Sequence, residues 1–315
     1  MNTRILITGG AGFVGSKLVP HLLNKGYEII VVDTLWFGNY LEKHSLLSLI
    51  QADIRNIDEI DLPKIDKIIH LANIANDPAV DLHPQLSWEV NVLAGYQLIK
   101  KAIKCGADQF IFASSGSVYG VKSEARVTEE LDLVPISAYN KTKMVAERVF
   151  LSFANQIKVH NIRPATVCGY SPRMRLDVAV NLLTMQAITK KEITVFGGNQ
   201  TRPNIHINDM VRTYEHFLMH PELEDGNYNA GFENISILNI AEKIQKRTGS
   251  NISILPSNDP RSYNQFSGKL TDTGFKPQFN IDYAIDEIIE KFKTGVLTDD
   301  ENWHTVKKMK ILNIT

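Results

Sequence analysis

Arg4-Ile5-Leu6-Ile7-Thr8 runs directly into Gly9-Gly10-Ala11-Gly12-Phe13-Val14-Gly15 near the start of the chain. The first five residues read as a strand buried on both faces, because apolar and β-branched side chains follow one another without alternation. Gly9 then permits a tight turn, Gly12 lets backbone approach a pyrophosphate, and Gly15 lets the next helix lie close to the sheet. Phe13 and Val14 open that helix, whose free amides and dipole suit an anion. The helix pattern runs to Asn24, with Gly26 as its stop. A second buried strand, Glu28 to Val32, ends on Asp33. A carboxylate there, roughly 20 residues past the loop, accepts from ribose hydroxyls. Thr34 and Leu35 follow, with no Arg or Lys to meet a 2′-phosphate, so the pattern favours NAD over NADP.

The alternation continues outward. Lys67 to Leu71, Phe110 to Ala113 and Val159 to Arg163 read as further buried strands. Leu86 to Lys104 and Ser137 to Ala154 read as long helices between them. Strands alternating with helices predict an α/β fold, a Rossmann-like doubly wound parallel sheet. Asp53-Ile54-Arg55 follows the third strand, where Asp53 either accepts from an adenine amino group or caps a helix. The pattern loosens after about Tyr170, although helices are expected at Val178 to Lys190, Asp209 to Met219, Ile237 to Arg247 and Ile281 to Phe292. We therefore expect a dinucleotide-binding domain over 1–170 and a smaller lobe over 171–315, some of whose segments return to the sheet. The tail after Thr298 has a mixed pattern that places it nowhere.

Tyr139 and Lys143 stand four apart in a helical stretch, on one face. Hydride removal from an alcohol carbon requires a base for the hydroxyl proton. A free phenol titrates near pH 10 and an efficient base near 7, a gap worth on the order of 4 kcal/mol. A nearby ammonium and a positive nicotinamide ring would close it by stabilising the phenolate. Ser114-Ser115-Gly116-Ser117-Val118-Tyr119 follows the strand at 110–113, at the end where open α/β sheets bind ligands. Ser115 is placed to hydrogen-bond the reacting hydroxyl, and Ser117 either contacts the same substrate or serves the turn.

As a set these motifs resemble the extended short-chain dehydrogenases/reductases of the NAD-dependent epimerase/dehydratase family. Thr8 to Gly15 is similar to that family's opening, His70-Leu71-Ala72 to its fourth strand, and Val90-Asn91 to the start of its long helix. Ser115, Tyr139/Lys143 and Arg163-Pro164 follow in family order, and Val195 to Asp209 resembles its late nucleotide-sugar motif. The resemblance implies a Ser115, Tyr139, Lys143 triad. It implies NAD held by Gly9, Gly12, Phe13, Val14, Gly15, Asp33, Asp53, Ile54, Leu71, Ala72, Asn91 and Pro164 with Tyr139 and Lys143. It implies a nucleotide-diphosphate sugar met by Asn181, Arg202 and Arg261 at the diphosphate, a guanidinium fork suiting that anion. Asn76, Ser117 and Thr166 are expected at the sugar; Thr166 stands where many hexose epimerases carry asparagine, and Asn76-Asp77 equally suits a turn before Pro78. The two long helices resemble the pair that forms a four-helix interface in this family, implying a homodimer.

The reaction is expected to start with oxidation at C4. Family dehydratases carry acidic residues just after the strand-end hydroxyl, whereas Gly116 and Ser117 stand there, which disfavours dehydration and decarboxylation. A UDP-glucose 4-epimerase-like activity is the leading expectation. A 4-dehydrogenase releasing the keto sugar, for instance from a GDP-heptose, needs the same residues. A non-catalytic dinucleotide sensor is disfavoured by the intact triad.

The rest of the composition is consistent with this. In 315 residues the net charge is −1, so no basic excess points to nucleic acid or an anionic membrane. No apolar run approaches the roughly 18 residues of a membrane helix. Cys105 and Cys168 lie in a helix-like and a strand-like stretch, unlike a disulfide framework. With no signal-peptide pattern at Met1, a cytoplasmic enzyme without a metal is expected.

Overall fold

The computed structural model describes residues 2–257 and 262–314. Its first half alternates as β1 (Arg4–Thr8), α1 (Gly15–Asn24), β2 (Glu28–Asp33), β3 (Leu47–Gln51), β4 (Lys67–His70), α2 (Asp77–Leu82), α3 (Pro84–Trp88), α4 (Gly95–Lys104), β5 (Gln109–Ala113), α5 (Ala138–Leu151) and β6 (Lys158–Pro164). The second half holds β7 (Thr166–Cys168), α6 (Ala179–Lys190), β8 (Glu192–Phe196), β9 (Thr201–His206), α7 (Ile207–Met219), β10 (Gly226–Ala230), β11 (Glu233–Ser236), α8 (Ile237–Thr248), β12 (Asn251–Leu255), α9 (Gly268–Asp272), α10 (Ile281–Lys293) and α11 (Thr305–Ile311).

Seven strands form one parallel sheet in the order β10-β6-β5-β4-β1-β2-β3. The order reverses at β1, and Thr8 pairs with both Val32 and His70, so the strand ends lie level there. The Rossmann-like, doubly wound reading holds. Unbroken apolar strands are explained by two cores. Leu6, Ile68, Phe110 and Phe112 face one side with Leu98, Ile99 and Phe150. Ile5, Ile7, Ile69 and Ile111 face the other with Leu18, Leu22 and Phe217. Each such fully buried side chain contributes roughly 1.5–3 kcal/mol. β10 comes from the second half and closes the sheet against β6. The rest of that half builds a sheet of β11-β9-β7 and a parallel β12-β8 pair around Val180, Leu183, Ile240, Ile244, Ile281 and Ile285.

Two expectations change. The helix read over Leu86 to Lys104 is interrupted: α3 passes into a π turn over Glu89–Ala94 before α4. A π turn inserts one residue into the helical ladder, and here it carries Asn91 beneath the loop at Ile74. The unplaced tail is ordered and lies at the sheet's ligand end. The Leu176 amide donates to the Trp303 carbonyl at 2.9 Å, the Trp303 ring packs 5.3 Å from that of Tyr40, and Met309 is buried in the first core. No helix among the described residues is long and apolar enough to cross a membrane.

Candidate active site

The strand ends open onto two adjoining cavities of about 130 and 350 Å³ that share Gly9, Gly12, Leu71 and Ile74. The glycine loop forms the floor of both. Gly9 has φ +73°, and a Cβ there would stand 2.5 Å from the Ala72 amide nitrogen; one on Gly15 would stand 2.4 Å from the Gly10 carbonyl. These positions exclude side chains and leave backbone facing the space.

The smaller cavity is lined by Asp33, Asp53, Ile54, Leu71 and Ala72. Asp33 accepts from the amides of Ala11 (3.0 Å) and Leu35 (2.8 Å). Burial raises its pKa, while those two hydrogen bonds and Arg173 act in the opposite sense. Asp53 caps the turn at Ile54–Glu59 through Arg55 N and pairs with the Arg55 guanidinium at 2.8 Å, while bordering the cavity as well.

The larger cavity brings Phe13, Val14, Gly15, Asn76, Ser115, Ser117, Tyr139, Pro164 and Thr166 together. The Ser115 and Ser117 hydroxyls lie 2.7 Å apart. Beneath them Ser114 donates to Glu147, which also holds Arg163 at 2.8 Å, and Arg163 donates to Tyr119 at 2.7 Å. This buried network fixes the serine-bearing strand end against α5. Burial raises the Tyr139 pKa, and Ser115 and then Arg175 favour the phenolate, while Asp77 opposes it. Lys143 lies under the cavity wall, 2% exposed, its ammonium donating to the Ala113 carbonyl at 2.6 Å and standing 5.8 Å from the Tyr139 ring centre. Burial lowers its pKa to about 7.

Several expected contacts are placed elsewhere. Asn91 spends its amide on the Ile74 backbone (2.8 and 3.1 Å) and on Thr142, so it fixes the loop behind the cavity and does not line it. Asn181 is fully buried and clasps both polar groups of Gly169 and the Arg175 carbonyl, which leaves it no hydrogen for a diphosphate. Arg202 lies on β9, where it donates to the Thr201 carbonyl, and does not line either cavity. Arg261 lies outside the described residues.

The sequence reading missed Arg173, Arg175, Asp177, Thr305 and Met309. The first three sit in the segment after β7, and all but Asp177 line the larger cavity. Two arginines and an aspartate within five residues are an unusual concentration for a connecting loop, and that was the available signal. Arg173 is buried 4.0 Å from the Phe37 ring centre, its Nε has no partner among the described residues, and burial lowers its pKa to about 9. The Asn73 amide, also at the wall, is buried without a partner among the described residues. Such orphaned groups belong where a polar ligand completes the hydrogen bonding. Together with the side-chain-free loop and Asp33, the residues present fit NAD.

Residues 5–231 match the NAD dependent epimerase/dehydratase family. The chain is 27% identical over 312 residues to a UDP-glucose 4-epimerase of Streptococcus mutans, covering 88% of this chain and 92% of that protein. It is 28% identical over 318 residues to UDP-glucuronic acid decarboxylase 1 of Arabidopsis thaliana, covering 95% and 72% respectively. Among solved structures, MoeE5 in complex with UDP-glucuronic acid and NAD superposes with a TM-score of 0.82 at 25% identity, covering 93% of this chain and 99% of that one. The sheet, the glycine loop and the Ser115/Tyr139/Lys143 grouping thus have one common explanation: the chain belongs to the NAD-dependent epimerase/dehydratase family of extended short-chain dehydrogenases/reductases, and NAD is its cofactor.

Proposed function

We propose that the protein is a nucleotide-sugar 4-epimerase, with residues 171–315 as the main sugar-nucleotide lobe. One observation carries this: Ser115 and Tyr139 meet in a single cavity with no uncommitted carboxylate beside them among the described residues. Asp77 is bound by Ser137 at 2.5 Å, and Asp177 by Arg175 and Asn76. Removing a C5 proton and expelling a 6-hydroxyl needs a further acid and base; epimerisation does not.

In this reading the Tyr139 phenolate accepts the 4-hydroxyl proton while Ser115 donates a hydrogen bond to the same oxygen. NAD, when bound, would supply a reversible acceptor for the C4 hydride. Tyr139 then gives the proton back to the oxygen after the keto sugar has presented its other face. Lys143, from beneath, adds positive charge when protonated. Asn76, Ser117 and Thr166 line the sugar side, and Pro164 with Phe13 and Val14 the dinucleotide side. For the diphosphate, Arg202, on β9 outside the two cavities, and Arg261, outside the described residues, are contacts proposed on the family resemblance alone, while the engaged amide of Asn181 supports a role in shaping the wall. Free Cys105 and Cys168 are consistent with a reducing, cytoplasmic location, and the helix pair of α4 and α5 with a homodimer.

The test is a panel of UDP-, GDP- and dTDP-sugars, with product stereochemistry read by NMR and NADH by absorbance. A C4 epimer without accumulating NADH is expected, and Tyr139→Phe should lower kcat by about 10³-fold or more while retaining NAD. A keto sugar with stoichiometric NADH would replace the reading with a 4-dehydrogenase. Unchanged turnover in Tyr139→Phe would remove Tyr139 as the base.

A further inference from the structure

We propose that Arg175, clamped by Asp177, is a positioning cation for the Tyr139 phenolate, adding from across the cavity to the charge that helical spacing assigns to Lys143. The inference rests on Tyr139 being the base, as read above.

Four observations support it. Arg175 and Tyr139 line the same 350 Å³ cavity from different elements, the segment after β7 and α5. The one hydrogen bond from the Arg175 side chain among the described residues runs from Nε to Asp177 Oδ1 at 2.9 Å, so its Nη hydrogens are free to face the cavity, where the side chain is 17% exposed. Asp177 is itself held: Asn76 donates to its other oxygen at 3.0 Å, from a left-handed backbone (φ +76°) that is strained for a non-glycine residue. Thr305, at the start of α11, approaches Asp177 closely enough to lower its pKa, yet its buried hydroxyl makes no hydrogen bond of normal geometry among the described residues. That open hydroxyl lines the same cavity.

The second step compares the two cations. Lys143 donates to the Ala113 carbonyl, sits 4.7 Å from the Phe112 ring centre, and does not line the cavity. With burial lowering its pKa to about 7, it is only partly protonated at neutral pH. Arg175 stays charged throughout, its pKa raised by Asp177 against burial. The other ionisable groups around Tyr139 among the described residues are Asp77 on α2, which opposes phenolate formation, Arg173, the Tyr263 phenol, and the Tyr214 phenol of α7. Burial raises the Tyr214 pKa far enough to keep that phenol neutral. Of the charged groups that line the cavity, Arg175 is the one that favours the phenolate, and Lys143 adds to it from beneath when protonated.

The test is an ultraviolet difference titration of the NAD-loaded protein, with the Tyr139→Phe protein subtracted so that one phenol is read. Arg175→Gln should move that phenol up by about one pH unit, a tenfold weaker acid. Arg175→Lys should recover most of the displacement. Arg175→Met, of similar length, carries the same expectation as the glutamine variant if the latter does not fold. A phenol titrating in Arg175→Gln or Arg175→Met as in the wild type overturns the proposal. So does an equal displacement in Arg175→Lys, which would make the effect one of shape. Loss of turnover in Tyr139→Phe without a displacement in the Arg175 variants would refute this inference and leave the base assignment standing.

Discussion

Lys143 stands where helical spacing places it, one turn from Tyr139, yet its surroundings differ from what spacing implies. The i, i+4 relation to Tyr139 was legible because helix geometry alone sets it. What was not legible is the depth: Lys143 is 2% exposed and its ammonium donates to a strand carbonyl, with the Phe112 ring centre 4.7 Å away. Burial lowers its pKa from 10.5 to about 7, so folding is disfavoured whenever the ammonium is charged. The sign follows from proton binding: between pH 7 and 10.5 the unfolded chain binds more protons, and stability rises with pH. Below pH 7 the whole penalty is present. Lys143→Met should therefore raise the melting temperature of the NAD-free protein at pH 7, with the gain shrinking as pH approaches 10, while abolishing turnover. Calorimetry at several pH values checks it, and a variant less stable than wild type at pH 7 would contradict the burial argument. Gly9, Gly12, Gly15 and Asp33 lie on the cavity walls, because backbone clearance and strand-end position are local properties. Asn181 and Asn91 do not, because whether an amide is free depends on which distant backbone groups need a partner.

At the scale of elements, the long helix read over Leu86 to Lys104 is the most informative difference. Apolar periodicity was good enough to find the helix but could not detect a π turn, which adds one residue and barely disturbs a stripe of side chains. The turn carries Asn91, whose amide satisfies both polar groups of Ile74. Asn91→Leu leaves a buried N–H and a buried carbonyl without partners, at a cost of about 1–3 kcal/mol for each unsatisfied group. The expected outcome is a lower urea midpoint with an unchanged slope, plus weaker NAD binding through the loosened 71–76 loop. An unchanged midpoint would show that the π turn does not need this clasp. The same reasoning explains the tail. Thr305 and Met309 line the cavity although no pattern after Thr298 predicted it, because a seven-residue helix docks through its neighbours and not through its own periodicity.

At the scale of the whole molecule, the parallel sheet was legible because strands buried on both faces are uniformly apolar, and the second half was not, because its short strands are half exposed and β10 returns to a sheet begun some 200 residues earlier. One surface feature belongs to this scale. Leu93 is 60% exposed and Tyr96 40%, on the outer side of the π turn and α4, and the Tyr96 ring meets Phe153 beyond the end of α5 at 5.8 Å. Val149 of α5 is also only partly buried. These partly exposed apolar groups lie on or beside the two helices from which the homodimer is proposed. A two-fold contact would place them against their copies, since a dimer interface of this kind is self-complementary. Leu93 would then lie where charge is poorly tolerated, because an unpaired carboxylate removed from water costs several kcal/mol per ion. Leu93→Glu places two such carboxylates in each dimer, one per subunit. Sedimentation velocity at micromolar concentration should therefore show a wild-type dimer and a Leu93→Glu monomer, with circular dichroism unchanged since the side chain packs against little of its own subunit. A Leu93→Glu protein that sediments with the wild type would move the interface away from this helix pair.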